Sequence, residues 1–286
     1  MPIEIKFISW IQTFSTPFLD QMFEAITVLG ESYIYIVLLS LFYWCVNKEQ
    51  TRRILLALTL SVTVNGLLKE AFDAVRPIGV EGIRSLRIHT ANGSSFPSGH
   101  TQTISVFMFS IMSLFKGIGI KAVGVVAILA VAFSRLYLGL HWPKDVLGAI
   151  LVAWIIVQIV NRIYQRNYLE GDYLPYFIIL VLTLASLFIF KSESYLKGAG
   201  ILAGYLVGYW FEENFINFDT RGSLEHQILK YIMGIAGFVG IYMGLKAVLP
   251  STDMMIFARY FVLLLWATAG APALFVLFRL SKHRIF

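Results

Sequence analysis

KAVGVVAILAVAFSRLYLGLHWPKDVLGAILVAWIIVQIV, Lys121 to Val160, places two long apolar runs on either side of one short polar turn. A bilayer's hydrocarbon core is about 30 Å thick and takes roughly 20 apolar residues to cross as a helix. The period-two alternation of a membrane barrel strand is missing, and an open sheet would leave backbone groups unpaired in lipid. The stretch therefore predicts two transmembrane helices joined at SRLYLGLHWPKD (Ser134 to Asp145), so the polar residues of that turn gather at one membrane face.

The rest of the chain repeats the pattern. Its 286 residues are 58% hydrophobic and 14% charged, with a mean hydropathy of +0.73, beyond what a soluble domain of this length needs for a core. Runs suited to spanning fall at 32–46, 53–73, 98–116, 119–137, 144–165, 174–190, 196–212, 226–248 and 255–278. The expected fold class is thus all-α, a polytopic transmembrane helix bundle of about nine spans. Residues 1–30 read as N-terminal interfacial helices, because Asp20 and Glu24 interrupt the apolar run, and a carboxylate at mid-bilayer costs about 2.5 to 3.5 kcal/mol. They lack the cationic start and small-residue cleavage site of a secretory signal. Cys45 is the single cysteine, so no intramolecular disulfide forms.

The net charge of +6 is spread along short loops and makes no basic stripe, which argues against a nucleic-acid partner. Nine spans put twelve cations, among them Lys48, Arg52, Arg279, Lys282 and Arg284, on the face taken as cytoplasmic and eleven on the other. The N-terminus then lies outside. Whichever face is which, parity brings three polar segments to the same side: KEAFDAVRP (Lys69 to Pro77), PSGH (Pro97 to His100) and the turn from Ser134 to Asp145.

These segments hold the residues of a phosphoryl-transfer site. Lys69 and Arg76 are seven residues apart, and Pro77 biases Arg76 toward an extended exit from the helix. Ser98 suits an N-cap, and Gly99 leaves room for close approach, so free N–H groups and the positive dipole end would face an anion. His100, in the first turn, is placed to protonate a leaving oxygen. Arg135 ends one span. His141 precedes Pro143, and Asp145, four residues on, is placed to accept the imidazole Nδ1–H and leave Nε2 free to attack. Three cations, a helix N-terminus and two histidines fit a reaction that depends mainly on positioning and charge neutralisation. Singly, Lys69, Arg76 and Arg135 read as snorkelling cations, His100 as a hydrogen-bonded interfacial residue and Asp145 as a first-turn acid. Their joint placement on one face favours the site.

The ordered set K-x6-RP, PSGH and SR-x5-H-x3-D resembles the three signature motifs of the type 2 phosphatidic acid phosphatase, or lipid phosphate phosphatase, superfamily, in its membrane branch. The resemblance spans roughly residues 50 to 165, with every polar position filled. It implies a metal-independent, cofactor-free phosphatase with a phosphohistidine on His141, oriented by Asp145, and His100 as acid. Lys69, Arg76, Ser98, Gly99 and Arg135 would bind the phosphate. It also implies a six-helix phosphatase core, assigned here to 31–190, a lipid phosphate or diphosphate substrate, and a site on the non-cytoplasmic face of the cell membrane. A water-soluble sugar phosphate and a non-catalytic phospholipid-binding or transport role are the alternatives.

Residues 191–286 form the expected C-terminal three-helix transmembrane extension, open to three roles: packing on the core, a homodimer seam, or a border to the lipid's path. Gly200, Gly204 and Gly208, then Gly237, Gly240 and Gly244, mark faces where helix backbones approach closely. Pro272 should kink the last span. Glu212, Glu213, Asp219 and Glu225 lack regular ligand spacing and do not read as a metal site. Arg84 and Arg87 suit either an anionic headgroup or a solvated loop face. His89, His226 and His283 have no comparable neighbours.

Overall fold

A computed structural model describes residues 3–250 and 252–283, the side chains of 168–170 excepted, so Arg284 and the outermost residues of both terminal segments lie outside the described part. The chain is helical, and among the described residues β structure is limited to one isolated bridge, Phe218 to His283. The helices are α1 (Ile3–Gln12), α2 (Pro17–Val28), α3 (Ser32–Val46), α4 (Lys48–Phe72), α5 (Gly99–Leu114) and α6 (Ile118–Tyr137). They continue with α7 (Pro143–Glu170), α8 (Leu174–Ser186), α9 (Glu193–Phe211), α10 (Leu224–Val248) and α11 (Asp253–Leu277).

Each of the nine expected spans coincides with a helix, α3 to α11, but only five, α4, α6, α7, α10 and α11, are both long and apolar enough to cross a membrane. A sixth is gained if α2 and α3, bent by 45°, count as one span. The apolar runs overstated two of the others, α5 and α8. α5 has 16 residues and α8 has 13, about 24 and 20 Å at 1.5 Å per residue, because Ser98 and Phe115 are extended and the chain turns after Ser186. In α11 the kink expected at Pro272 is preceded by a wide π turn over Trp266–Gly270.

Two compact units emerge. One comprises residues 1–34 and 64–159. Its apolar cluster joins Ile11 of α1 to Ala132, Leu136 and Tyr137 of α6 and Val146 of α7, with Leu19 and Phe23 of α2 packed against them. The N-terminal helices are therefore part of this unit's core. Asp20, which looked costly on an apolar helix, is paired: Arg84 reaches both its oxygens at 2.7 Å and the Tyr137 hydroxyl donates to it at 2.6 Å. Arg87 is likewise paired with Glu31 at 2.6 Å, so neither arginine is a bare loop cation.

The other unit comprises residues 35–63 and 160–286. Trp44, Tyr43, Phe218, Ala271 and Phe275 form its core. A Cβ at Gly200 or Gly204 would collide with the α11 backbone at Phe257 or Phe261, so these glycines seat α9 directly on α11. Gly237 meets Trp266, whereas Gly240 and Gly244 face open space. The acidic residues after α9 hold this unit together: buried Glu212 takes Lys48 at 2.8 Å and also Arg52, which pairs with Glu213 as well. Ser223 caps α10 by accepting from the His226 amide, as its sequence position suggests.

The seam makes a paired prediction. Gly204→Leu should lower the thermal unfolding midpoint in detergent by several degrees, since overpacking a tight contact costs about 1–3 kcal/mol. Gly240→Leu, which meets nothing, should leave the midpoint in place; fluorescence-detected size exclusion after heating measures both.

Candidate active site

Every residue singled out for the chemistry lies in the unit of residues 1–34 and 64–159. α4 ends at Phe72, Asp73 turns with φ 39°, and Arg76 lies past the helix end, before Pro77. The loop before α5 folds back on both cations. Lys69 Nζ donates to the carbonyls of Asn92 (3.2 Å) and Ser94 (2.9 Å). Arg76 donates to the same two through one terminal nitrogen (2.9 and 3.1 Å) and to Gly93 through Nε (2.9 Å). Sharing two acceptors fixes the Lys69 and Arg76 tips beside each other, close enough for one anion.

The other terminal nitrogen of Arg76 donates to the Leu140 carbonyl at 3.0 Å and meets His141 Nε2 at 3.1 Å. A guanidinium has donors only, so Nε2 is the acceptor and the ring's hydrogen sits on Nδ1. That nitrogen faces Asp145 Oδ2 at 3.5 Å, within ion-pair distance but longer than the hydrogen bond expected from the sequence. Asp145 Oδ2 is occupied instead by the Ser95 hydroxyl and by the Trp142 amide at 2.8 Å. All five Arg76 N–H groups are thus engaged.

His141 is held on the turn that leaves α6. Gly139 has φ 64°, and an added Cβ would also strike the Arg84 carbonyl, so the turn needs glycine twice over. Arg135, wholly buried on the last turn of α6, gives one terminal nitrogen to Thr27 Oγ1 at 3.0 Å, while its Nε and other terminal nitrogen have no partner. Among the described residues, Lys69, Arg76 and Arg135 make no ion pair with a carboxylate.

At the start of α5, Ser98 occupies the N-cap position but makes no capping bond; its hydroxyl meets Thr101 Oγ1 at 3.0 Å, and its amide donates to the Asp145 carbonyl at 3.1 Å. The free amides expected at this helix end therefore exclude that of Ser98. Gly99 stands open toward Asn65, which braces the Pro97 carbonyl at 3.3 Å and Gln102 at 2.9 Å. His100 is packed against Gly30 so closely that a Cβ there would lie 2.7 Å from its own, and its Nε2 is buried without a partner. Sequence reasoning missed Thr27, Ser95 and the carbonyls of 92–94. Ser95 alone carried a signal, as a hydroxyl next to the PSGH segment.

Electrostatics follow from this packing. Burial, then the charges of Arg135, Arg76 and Lys69, hold the His141 imidazole pKa well below its ordinary value of about 6.5. Burial also lowers the Arg76 pKa, with Asp145 acting in the opposite sense. The arrangement is a neutral imidazole whose lone pair on Nε2 is aimed among three cations. Among the described residues, no group of three or more His, Cys, Asp or Glu side chains is placed to hold a metal ion.

The PAP2 superfamily model matches residues 50–169, and the PAP2 superfamily phosphatase transmembrane extension matches 196–283. Together they cover more than two thirds of the chain, which belongs to the PAP2 superfamily. The Dictyostelium discoideum protein named "Probable sphingosine-1-phosphate phosphatase" is 31% identical over 59% of this chain and 44% of its own length. The undecaprenyl-diphosphatase BcrC of Bacillus subtilis is 29% identical over 51% of this chain and 84% of its own. Against several curated relatives the chain spans less than two thirds of their length. The crystal structure of Aquifex aeolicus LpxE aligns with a TM-score of 0.51 and 26% identity, covering 57% of this chain and 96% of that one.

The direction of the His141 shift is testable. In protein labelled with ¹⁵N-histidine, its ring should stay neutral, protonated on Nδ1 only, at pH 5.5. The unfolded chain takes up that proton near pH 6.5 and the folded chain does not, so this histidine lowers stability as pH falls through that range. A folded-state titration midpoint near 6.5 would contradict the assigned environment.

Proposed function

We propose that this chain is a membrane-integral phosphatase that hydrolyses a lipid phosphate or diphosphate, without a metal cofactor, through a phosphohistidine on His141. The observation that carries the reading is the contact of Arg76 with His141 Nε2, which sets the attacking lone pair beside the group that would grip the phosphate. Lys69, Arg76 and Arg135 would neutralise its oxygens, with Ser98 and Gly99 at the start of α5 beside them.

In the first step His141 Nε2 bonds to phosphorus, the ester P–O bond breaks, and His100, which takes up a proton as the bound phosphate brings negative charge beside its buried Nε2, gives that proton to the departing oxygen. The imidazolium formed keeps its Nδ1–H toward the Asp145 carboxylate. In the second step His100, now neutral, takes a proton from water as that water bonds to phosphorus; the P–N bond breaks, phosphate leaves, and His141 recovers its lone pair. Cations that neutralise oxygens, and a nucleophile supplied by the chain itself, do the work a metal does in other phosphatases.

Support for a lipid substrate comes from the membrane-spanning helices and from relatives whose names specify sphingosine-1-phosphate and undecaprenyl diphosphate. In this reading α3 to α11 make nine passes, residues 31–190 form a six-helix phosphatase core, 191–286 form the three-helix extension, and 1–30 lie at the interface. The site then opens on the non-cytoplasmic face of the cell membrane.

Two experiments test the proposal. Detergent-purified protein should release phosphate from phosphatidic acid, phosphatidylglycerol phosphate, a sphingoid phosphate or undecaprenyl diphosphate, with activity unchanged in excess chelator; preference for a sugar phosphate over every lipid, or recovery only on adding Mg²⁺, would count against it. His141→Ala should abolish acid-labile phosphate labelling, whereas His100→Ala should slow turnover by roughly 10²- to 10⁴-fold and retain labelling. Labelling that survives His141→Ala would reassign the nucleophile.

A further inference from the structure

The donors of Arg135 are divided unevenly. Its guanidinium and Thr27 are both completely buried, and one terminal nitrogen is spent on Thr27 Oγ1 at 3.0 Å. The Nε and the second terminal nitrogen have no partner. Those two nitrogens form one edge of the guanidinium, with parallel N–H bonds whose spacing matches two oxygens of a tetrahedral oxyanion. Burying charged donors without acceptors is costly, so this edge is built for a ligand that brings oxygens.

Thr27 lies on α2, outside the matched segment 50–169, in a part of the chain the motifs leave out. α2 is fixed by contacts on it and just past its end. Arg84 holds Asp20 at both oxygens and Arg87 donates to the Glu24 carbonyl at 3.1 Å, while in the turn after α2 Glu31 takes Arg87 at 2.6 Å and Gly30 presses on His100. A rigid helix therefore presents one hydroxyl oxygen to one arm of the Arg135 fork.

We propose that Thr27 is a positioning residue: by occupying one terminal nitrogen of Arg135 it turns the Nε edge of the guanidinium toward the phosphate. This rests on the phosphatase reading above. The hydroxyl touches neither substrate nor reacting atoms; it acts through the arginine. Without it, the buried fork is free to swing, and the two-oxygen grip is lost with little change in the nucleophile.

The test uses the full-length protein, its lipid-phosphate hydrolysis and inorganic phosphate as competitive inhibitor. Thr27→Val keeps the volume and removes the acceptor, and should raise the inhibition constant for inorganic phosphate about tenfold, the scale of one charge-assisted hydrogen bond, with KM rising more than kcat falls. Thr27→Ser, which restores the oxygen, should return both to within about twofold of the unaltered protein. If Thr27→Val does not fold, Thr27→Cys, which lacks the γ-methyl and offers only a weak sulfur acceptor, should show the same loss. Unchanged inhibition in the folded Val or Cys variant, or an equal loss in Ser, would overturn the positioning role and leave the hydrolysis standing. An unaltered protein that hydrolyses none of the esters and gains no thermal stability from inorganic phosphate would overturn the phosphatase reading and this inference with it.

Discussion

Positive charge gathered at one place without a directly paired carboxylate shapes this site. Lys69, Arg76 and Arg135 converge where carbonyls and hydroxyls are the partners, and among the described residues no carboxylate is within ion-pair distance of them. Gathering one buried and two half-buried cations is unfavourable unless something else holds them. The chain supplies rigid backbone: the 92–94 loop carbonyls for two of the cations, and the hydroxyl on α2 for the third. An oxyanion entering here would bring the charge that those neutral acceptors lack.

The same cations set the state of the histidine. Because Arg76 only donates, its contact with Nε2 fixes the tautomer, and because burial and neighbouring charges disfavour the imidazolium, the ring stays a base. Asp145 does not finish this arrangement alone. Its oxygen is pinned by Ser95 and the Trp142 amide, and its own carbonyl pins the Ser98 amide, so Asp145, the backbone next to His141 and the start of α5 are one hydrogen-bonded piece. Gly139 and Gly30 permit the two close backbone approaches on which that piece depends.

The sequence announced the parts of this site that chemistry restricts to a few residue types. Histidines, lysine and arginines stand out in an apolar chain, and counting helix passes is enough to put Lys69, Arg76, His100, Arg135 and His141 on one side. What it concealed were partners chosen by three-dimensional proximity alone. Thr27 meets Arg135 across 108 positions and Asp20 meets Arg84 across 64, and a threonine or an aspartate on an amphipathic helix carries no mark of such a partner. Backbone carbonyls at 92–94 are invisible in any sequence. The helices were legible as apolar runs, but the lengths of α5 and α8 were not, because hydrophobicity continues past the extended residue that ends α5 and the turn that ends α8.

The central claim is that one tetrahedral oxyanion is gripped by Lys69, Arg76 and Arg135 while His141 Nε2 faces its central atom. An experimental structure of the protein with orthovanadate tests it most directly. The account predicts vanadium bonded to His141 Nε2, with oxygens on Lys69, on Arg76 in place of a 92–94 carbonyl, and on the Nε edge of Arg135. Vanadate bound at another residue, or held at this place without any contact to His141, would contradict it.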